Sequence, residues 1–133
     1  MIDSIFDNDH LQSGKNYLTA DIARYGADRA VFIAWEGWVA KKIITLDKSS
    51  LQDNTLAINS LRREFRIPKH RCVADGDGVG GFAIDATGIK SFKNNGKVIK
   101  VNKETPNYKN LQVQCLYRLA DKINEGVLHI EEE

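Results

Sequence analysis

Two aspartates stand where chemistry explains them more easily than packing does. Asp21 lies in Tyr17-Leu18-Thr19-Ala20-Asp21-Ile22-Ala23, a stretch that reads as a strand with apolar residues on both faces. A carboxylate between Ala20 and Ile22 is out of place there, because buried charges need a partner, a metal or a function. The competing reading is a strand-end aspartate caught in a turn with Arg24 as its partner. Asp75 closes the short run Arg71-Cys72-Val73-Ala74-Asp75, just before Gly76-Asp77-Gly78-Val79-Gly80-Gly81, the most glycine-dense stretch of the chain. In α/β sheets, sites lie beyond the carboxyl ends of strands. Glycines also let the backbone pass close to a ligand or a neighbouring strand. Taken alone, Asp75 reads better as an ordinary turn aspartate. Taken together, two strand-borne carboxylates in one small sheet are the minimum for a divalent-cation site.

Other apparent motifs fail on inspection. The glycine run formally matches GxGxxG, but a meander precedes it, and Asp75 and Asp77 would repel a pyrophosphate. Read as a calcium loop, the stretch from Asp75 would place Val79 at position five and Ala86 at position twelve, which breaks the ligand set. Gly96-Lys97 lacks the upstream glycine of a P-loop, since Ser91 stands there. His10, His70 and His129 share no metal-ligand spacing and read as surface residues. Charge is distributed more tellingly. Between Gly88 and Asn110 lie Lys90, Lys93, Lys97, Lys100, Lys103 and Lys109, with Glu104 the only acid. Arg62, Arg63, Arg66, Lys69 and Arg71 form a second basic cluster, and the stretch from Asp121 onward is acidic. The plain reading of the lysines is a solvated surface. The sharper one is a track that contacts phosphates beside the two carboxylates.

Strands and helices must bring these residues together. Tyr17–Ala23, Ala30–Trp35 and Trp38–Leu46 read as three strands of an antiparallel meander, with a tight turn at Glu36-Gly37. Leu51, Leu56, Ile58, Leu61 and Phe65 change to helical spacing; Asp47, Ser49 or Ser50 is placed to cap this helix, and Pro68 to stop it. A short strand ending at Asp75 follows, then a short helix over Phe82–Ala86 and a strand over Lys97–Val101. Tyr108 to Glu125 reads as an amphipathic helix with Leu111, Cys115, Leu116, Leu119 and Ile123 on its apolar stripe; Gly126 caps it, and Val127–Ile130 begins a last strand. The order βββ-α-β-(α)-β-α-β implies a mixed sheet with helices packed on it. Residues 1–16 read as a lead-in or linker, and 17–133 as the domain.

Composition sets the bounds. At 133 residues the chain has the size of one domain, too short for a motor, a kinase or a two-domain dehydrogenase. Its 19 basic and 18 acidic side chains leave a net charge of +1, so any nucleic-acid binding must come from local patches. A 42% hydrophobic fraction with 28% charged residues is that of a folded globular domain. No apolar run approaches the roughly 20 residues of a membrane helix. The acidic start Met1-Ile2-Asp3-Ser4-Ile5-Phe6-Asp7 does not read as a signal or transit peptide. Cys72 and Cys115, far apart and outside any CxxC pattern, fit a reducing cytosol better than a disulfide framework or a zinc site.

The opening stretch Tyr17–Ala23, followed by Gly26, Asp28 and Val31-Phe32-Ile33, resembles the start of the C-terminal nuclease domain of phage terminase large subunits. Val73-Ala74-Asp75-Gly76-Asp77-Gly78-Val79-Gly80-Gly81 resembles that family's second acidic motif, an aspartate followed by a Gly-Val-Gly turn. The segment from Asn107 through Tyr117 to Gly126 and Ile130 is similar to the helix and strand that follow. The likeness spans roughly residues 17–130, with its two motifs in order and about fifty residues apart. It implies an RNase H-like α/β fold and a metal-dependent endonuclease that cuts concatemeric phage DNA during genome packaging. It further implies a pair of Mg²⁺ or Mn²⁺ ions on Asp21 and Asp75, with Asp28 supporting Asp21 and Asp77 near the metals. Lys90, Lys93, Lys97, Lys100 and Lys103 become candidates for DNA contact. The implied partners are double-stranded DNA and, in a full protein, an N-terminal packaging ATPase, a portal and a small terminase subunit, all in the host cytosol.

The chain departs from the family pattern in one respect. The third acid of the family lies in a helix after the last strand, and this sequence reaches Glu131-Glu132-Glu133 about where that strand would end. No P-loop ATPase is encoded either. The expectation is a fragment that is a weak or inactive nuclease on its own. Two alternatives remain open: another RNase H-like nuclease, such as a resolvase or transposase core, and a non-catalytic module of the same fold that docks DNA or a portal protein.

Overall fold

The computed structural model describes residues 14–22, 29–75, 81–93 and 96–131. In chain order these form strand β1 (Asn16–Asp21), β2 (Arg29–Glu36), β3 (Val39–Asp47), helix α1 (Leu51–Phe65), a 3-10 turn (Lys69–Arg71), β4 (Cys72–Asp75), α2 (Gly81–Thr87), β5 (Lys90–Phe92), α3 (Leu111–Asn124) and β6 (His129–Ile130). The six strands make one mixed sheet in the order β5-β4-β1-β2-β3-β6. The β1–β2 and β2–β3 pairs are antiparallel, whereas β1–β4, β4–β5 and β3–β6 are parallel. The meander, the first helix and the alternation that follows are those of the sequence reading. Arg24, Asp28, Asp77, His10, the glycines at 76, 78 and 80, most of the lead-in and the last two glutamates lie outside the described residues.

Alternation within strands decides what each residue does. In β1, Leu18 and Ala20 are buried, and their parallel partners Cys72 and Ala74 on β4 are buried with them. They share a core with Ala30, Phe32 and Ala34 of β2, Ala57, Ile58 and Leu61 of α1, and Ile67, Ile84 and Ile89. Burial pushes the Cys72 thiol up, which keeps it protonated inside this core. The opposite face of β1 and β4 carries Thr19, Asp21, Val73 and Asp75.

Local chemistry fixes the boundaries of α1. The Ser50 hydroxyl accepts from the Asp53 N–H at 3.1 Å, and the Asp53 carboxylate accepts from the Ser50 N–H at 2.9 Å. This capping box satisfies donors that the first turn would otherwise leave orphaned. At the far end Arg66 turns left-handed, and Pro68 follows. Asn16 Nδ2 donates to the Phe65 carbonyl at 2.6 Å, which ties the end of α1 to the start of β1. Ser50→Ala is expected to cost ~1 kcal/mol in urea denaturation. The Ser50 backbone bond, and then its hydroxyl, hold the Asp53 carboxyl below its usual value. A carboxyl depressed in the folded state stabilises above its unfolded pKa and loses that contribution as pH falls through the folded one. The gap between wild type and Ser50→Ala should therefore narrow in acid.

Two features on the β3 side position the edge strand. Gly37 takes φ 57° in the two-residue β2–β3 turn, a left-handed conformation that glycine adopts without strain. The β2–β3 register then shifts, Ala34 pairing with Lys42 and Trp35 with Ala40, so that Lys41 is left unopposed. Lys41 reaches Glu131 at 2.6 Å beside β6. Its ammonium is held above the usual lysine value chiefly by that hydrogen bond.

Three expectations need correction. Asp21 is not buried inside a longer strand: it is the last residue of β1 and is exposed, because the alternation that buries Ala20 turns Asp21 outward. Lys97–Val101 forms no strand, since the backbone there bonds to a side chain and to its own turn; the fifth strand is instead the three-residue Lys90–Phe92. The apolar stripe of α3 is not packed away either. Cys115, Leu116 (58% exposed) and Leu119 are exposed, and the one buried residue of the helix is Gln114. No helix among the described residues is long and apolar enough to cross a membrane.

Candidate functional site

The two aspartates come together through the strand register. β1 and β4 are parallel neighbours, with Leu18 opposite Cys72, Thr19 opposite Val73 and Ala20 opposite Ala74. One further step in that register sets Asp21 opposite Asp75, each the last residue of its strand. Neighbouring strands lie ~4.8 Å apart, and in-register residues of a parallel pair point to the same face. Both side chains therefore start from adjacent points at one end of the sheet, where β1 and β4 finish, on the face away from the α1 core. Two carboxylates so placed can share ions held ~4 Å apart.

The surroundings of this edge are polar and aromatic. Asp75 is also in register with Phe92, and Val73 with Lys90, which puts Lys90 on the same face two residues back from the acids. Trp35 Nε1 donates to Thr19 Oγ1 at 2.9 Å, fixing the side chain two residues before Asp21. The Arg71 guanidinium lies 5.9 Å from the centre of the Tyr17 ring. At the same end of the sheet, two strands over from Asp21, Asp47 closes β3; its carboxylate is taken by Arg29 at 2.8 Å. Glu131 lies by β6, at the opposite edge of the sheet, paired with Lys41.

The donor set fits a hard cation as far as it goes. Carboxylate oxygens suit Mg²⁺ and Mn²⁺. Among the described residues no group of three or more His, Cys, Asp or Glu could hold an ion. Asp28 and Asp77, the two supporting acids that the family resemblance implies, lie outside the described residues.

The lysines divide by position. Lys90 lies on β5, and Lys93 just beyond its carboxyl end. Lys97, Lys100 and Lys103 sit on a segment without regular strand or helix, and all are exposed. Among the described residues none of these five forms a salt bridge, whereas Lys41, Lys42 and Lys122 each do. Sequence reasoning missed Gln114, which the structure places at the base of this segment. Its only sequence signal is an uncharged polar residue between Val113 and Cys115 on a helix read as apolar along one stripe.

No protein-family model matches the chain, and no curated protein matches it. Solved structures do. The nuclease domain of the large terminase subunit gp2 of bacterial virus Sf6 is similar with a TM-score of 0.79 at 19% identity, over 98% of this chain and 70% of that one. A K428A mutant of that nuclease domain with manganese and beta-thujaplicinol gives 0.78 at 19%, with the same coverage. The large terminase nuclease from thermophilic phage G20c with bound magnesium gives 0.62 at 19%, over 95% of this chain and 62% of that one. The chain thus has the fold of large terminase nuclease domains, in agreement with the RNase H-like architecture expected from its sequence.

Proposed function

We propose that this chain is a metal-dependent endonuclease domain acting on double-stranded DNA, of the kind terminase large subunits use to cut concatemeric phage DNA. The observation that carries the reading is the parallel β1–β4 register, with Ala20 opposite Ala74 and with Asp21 and Asp75 next in line as the last residues of the two strands. The shared fold supports it.

Asp21 and Asp75 would hold a pair of Mg²⁺ or Mn²⁺ ions. Such ions supply activation of the attacking water and stabilisation of the leaving 3′-oxygen in phosphodiester hydrolysis. The carboxylates would fix the place where the phosphate must lie, at the carboxyl ends of β1 and β4 and on the face away from the α1 core. Lys90, Lys93, Lys97, Lys100 and Lys103 would neutralise flanking phosphates, an attraction indifferent to base sequence. By the family resemblance, Asp28 would support Asp21 and Asp77 would serve near the metals. In a full protein the partners would be the packaging ATPase, the portal and the small terminase subunit.

One observation favours a second reading, a DNA- or portal-docking module that does not cut: among the described residues no third acid joins the pair. Incubation of the purified chain with supercoiled plasmid and Mn²⁺ separates the two. Slow nicking that chelation stops, and that Asp21→Asn and Asp75→Asn both lack, supports the nuclease. Binding without nicking, together with no Mn²⁺ held at the ends of β1 and β4, favours the docking module. Nicking that both variants retain removes these residues from the mechanism.

A further inference from the structure

Gly96, Leu111 and Gln114 tie the lysine-rich stretch after β5 into a defined loop. The Leu111 N–H donates to the Gly96 carbonyl at 2.9 Å, and the Gly96 N–H donates to that of Lys93 at 2.9 Å. The segment between Gly96 and Leu111 therefore leaves and returns at one point, by the carboxyl end of β5, the same end of the sheet that carries Asp21 and Asp75. Compact loops with closed ends are often functional. This one has no strand partner in the sheet. Its middle is held by a side chain: Gln114, 1% exposed on α3, accepts from the Ile99 N–H at 2.7 Å and donates from Nε2 to the Ile99 carbonyl at 2.9 Å. One amide thus takes both hydrogen-bonding groups of one residue, as a neighbouring strand would. Lys97 and Lys100 flank that clasp.

The tip of the loop carries a second sign. Val101 and Glu104 exchange hydrogen bonds of 2.8 and 3.0 Å around Asn102 and Lys103. Both central residues are left-handed, with φ 52° and 68°. A two-residue turn of this kind favours Asn-Gly. The first position conforms, but the second carries a lysine where glycine would sit without strain. That lysine is exposed and forms no ion pair among the described residues.

We infer that Gln114 is a positioning residue that holds this loop as a preformed phosphate-contacting arm, with Lys103 presented at its tip to the backbone of duplex DNA. Preorganisation spares the ordering cost a free lysine loop would meet on binding. The inference rests on DNA as the substrate and extends it to the loop that engages it.

The test is fluorescence anisotropy of a labelled duplex with the full chain, without metal, across a salt series. Variants are Lys103→Gly, which suits the turn, and Gln114→Met, which keeps the side-chain volume but makes neither bond to Ile99. Lys103→Gly is expected to melt at or above the wild-type temperature, yet to bind several-fold more weakly, with a salt slope smaller by about 1. Gln114→Met should weaken binding as well and speed hydrogen exchange at the Ile99 amide. If both variants keep wild-type affinity and slope while the wild type binds, the arm is wrong and the nuclease reading stands. If the wild type does not bind duplex at all, the DNA reading fails and this inference with it.

Discussion

Asp21→Asn and Asp75→Asn, each made alone, are expected to lower Mn²⁺-dependent nicking by at least ~100-fold, since groups one shell further from a metal already cost ~10–100-fold. The substitution keeps the shape of the side chain and removes its charge, so Asp21→Asn should not lose stability. Asp21 is exposed at its strand end, and its carboxylate is not part of the core that holds β1 in place. For Asp21→Asn stability and activity should therefore separate: its urea midpoint stays at wild type while nicking disappears. The double variant should be little worse than either single one, because residues acting as one unit are not additive. Equal loss on both strands is the informative part. If only Asp75→Asn mattered, the register that pairs it with Asp21 would carry no chemistry.

Phe32→Ala is expected to be the most damaging single substitution in the core, at ~3–5 kcal/mol. Phe32 is fully buried on β2, an inner strand of the sheet, and is in register with Ala20 on one side and Ile44 on the other. Both neighbours are smaller than phenylalanine, so the space it vacates has few side chains able to fill it. A loss of that size is a large share of the ~5–15 kcal/mol that a domain commonly has. The urea midpoint should fall sharply with little change in slope. Leu116→Ala provides the contrast. The sequence places Leu116 on an apolar stripe, but it is 58% exposed, and the change should stay within ~0.5 kcal/mol. A cost as large as that of Phe32→Ala would show that the α3 stripe is packed after all.

Much of the fold was legible because local signals and long-range pairing agreed. The three strands of the meander are rich in apolar and β-branched residues, the Glu36-Gly37 turn is short, and the helix from Leu51 to Phe65 carries its cap and its stop in the sequence. The errors arose where a local pattern could be satisfied in two ways. Lys97–Val101 has a strand's composition, but Gln114 supplies from one side chain what a partner strand would have supplied. Lys90-Ser91-Phe92 is too short and too polar to announce itself, and it is a strand only because β4 lies beside it. The stripe on α3 has helical period but is only half-buried at Leu111 and Ile123 and exposed at Cys115, Leu116 and Leu119, while Gln114 makes polar contacts and the Lys122 ammonium lies 5.8 Å from the centre of the Trp38 ring. For Asp21 the reasoning began from burial, and the structure replaces that ground with a different one: the residue is at an exposed strand end, opposite a second acid. Spacing along the chain shows two acidic motifs. Only the crossover that returns β4 parallel to β1 makes them neighbours.

The central claim is that Asp21 and Asp75 hold divalent cations between them, and it can be tested without relying on catalysis. Amide spectra of the isotope-labelled chain, titrated with Mn²⁺, report where a paramagnetic ion sits. Broadening that begins at the carboxyl ends of β1 and β4, and that Asp21→Asn and Asp75→Asn both abolish, is the predicted result. Broadening that leaves those strand ends sharp and centres on other acids, such as Glu104 or Asp121, would contradict it.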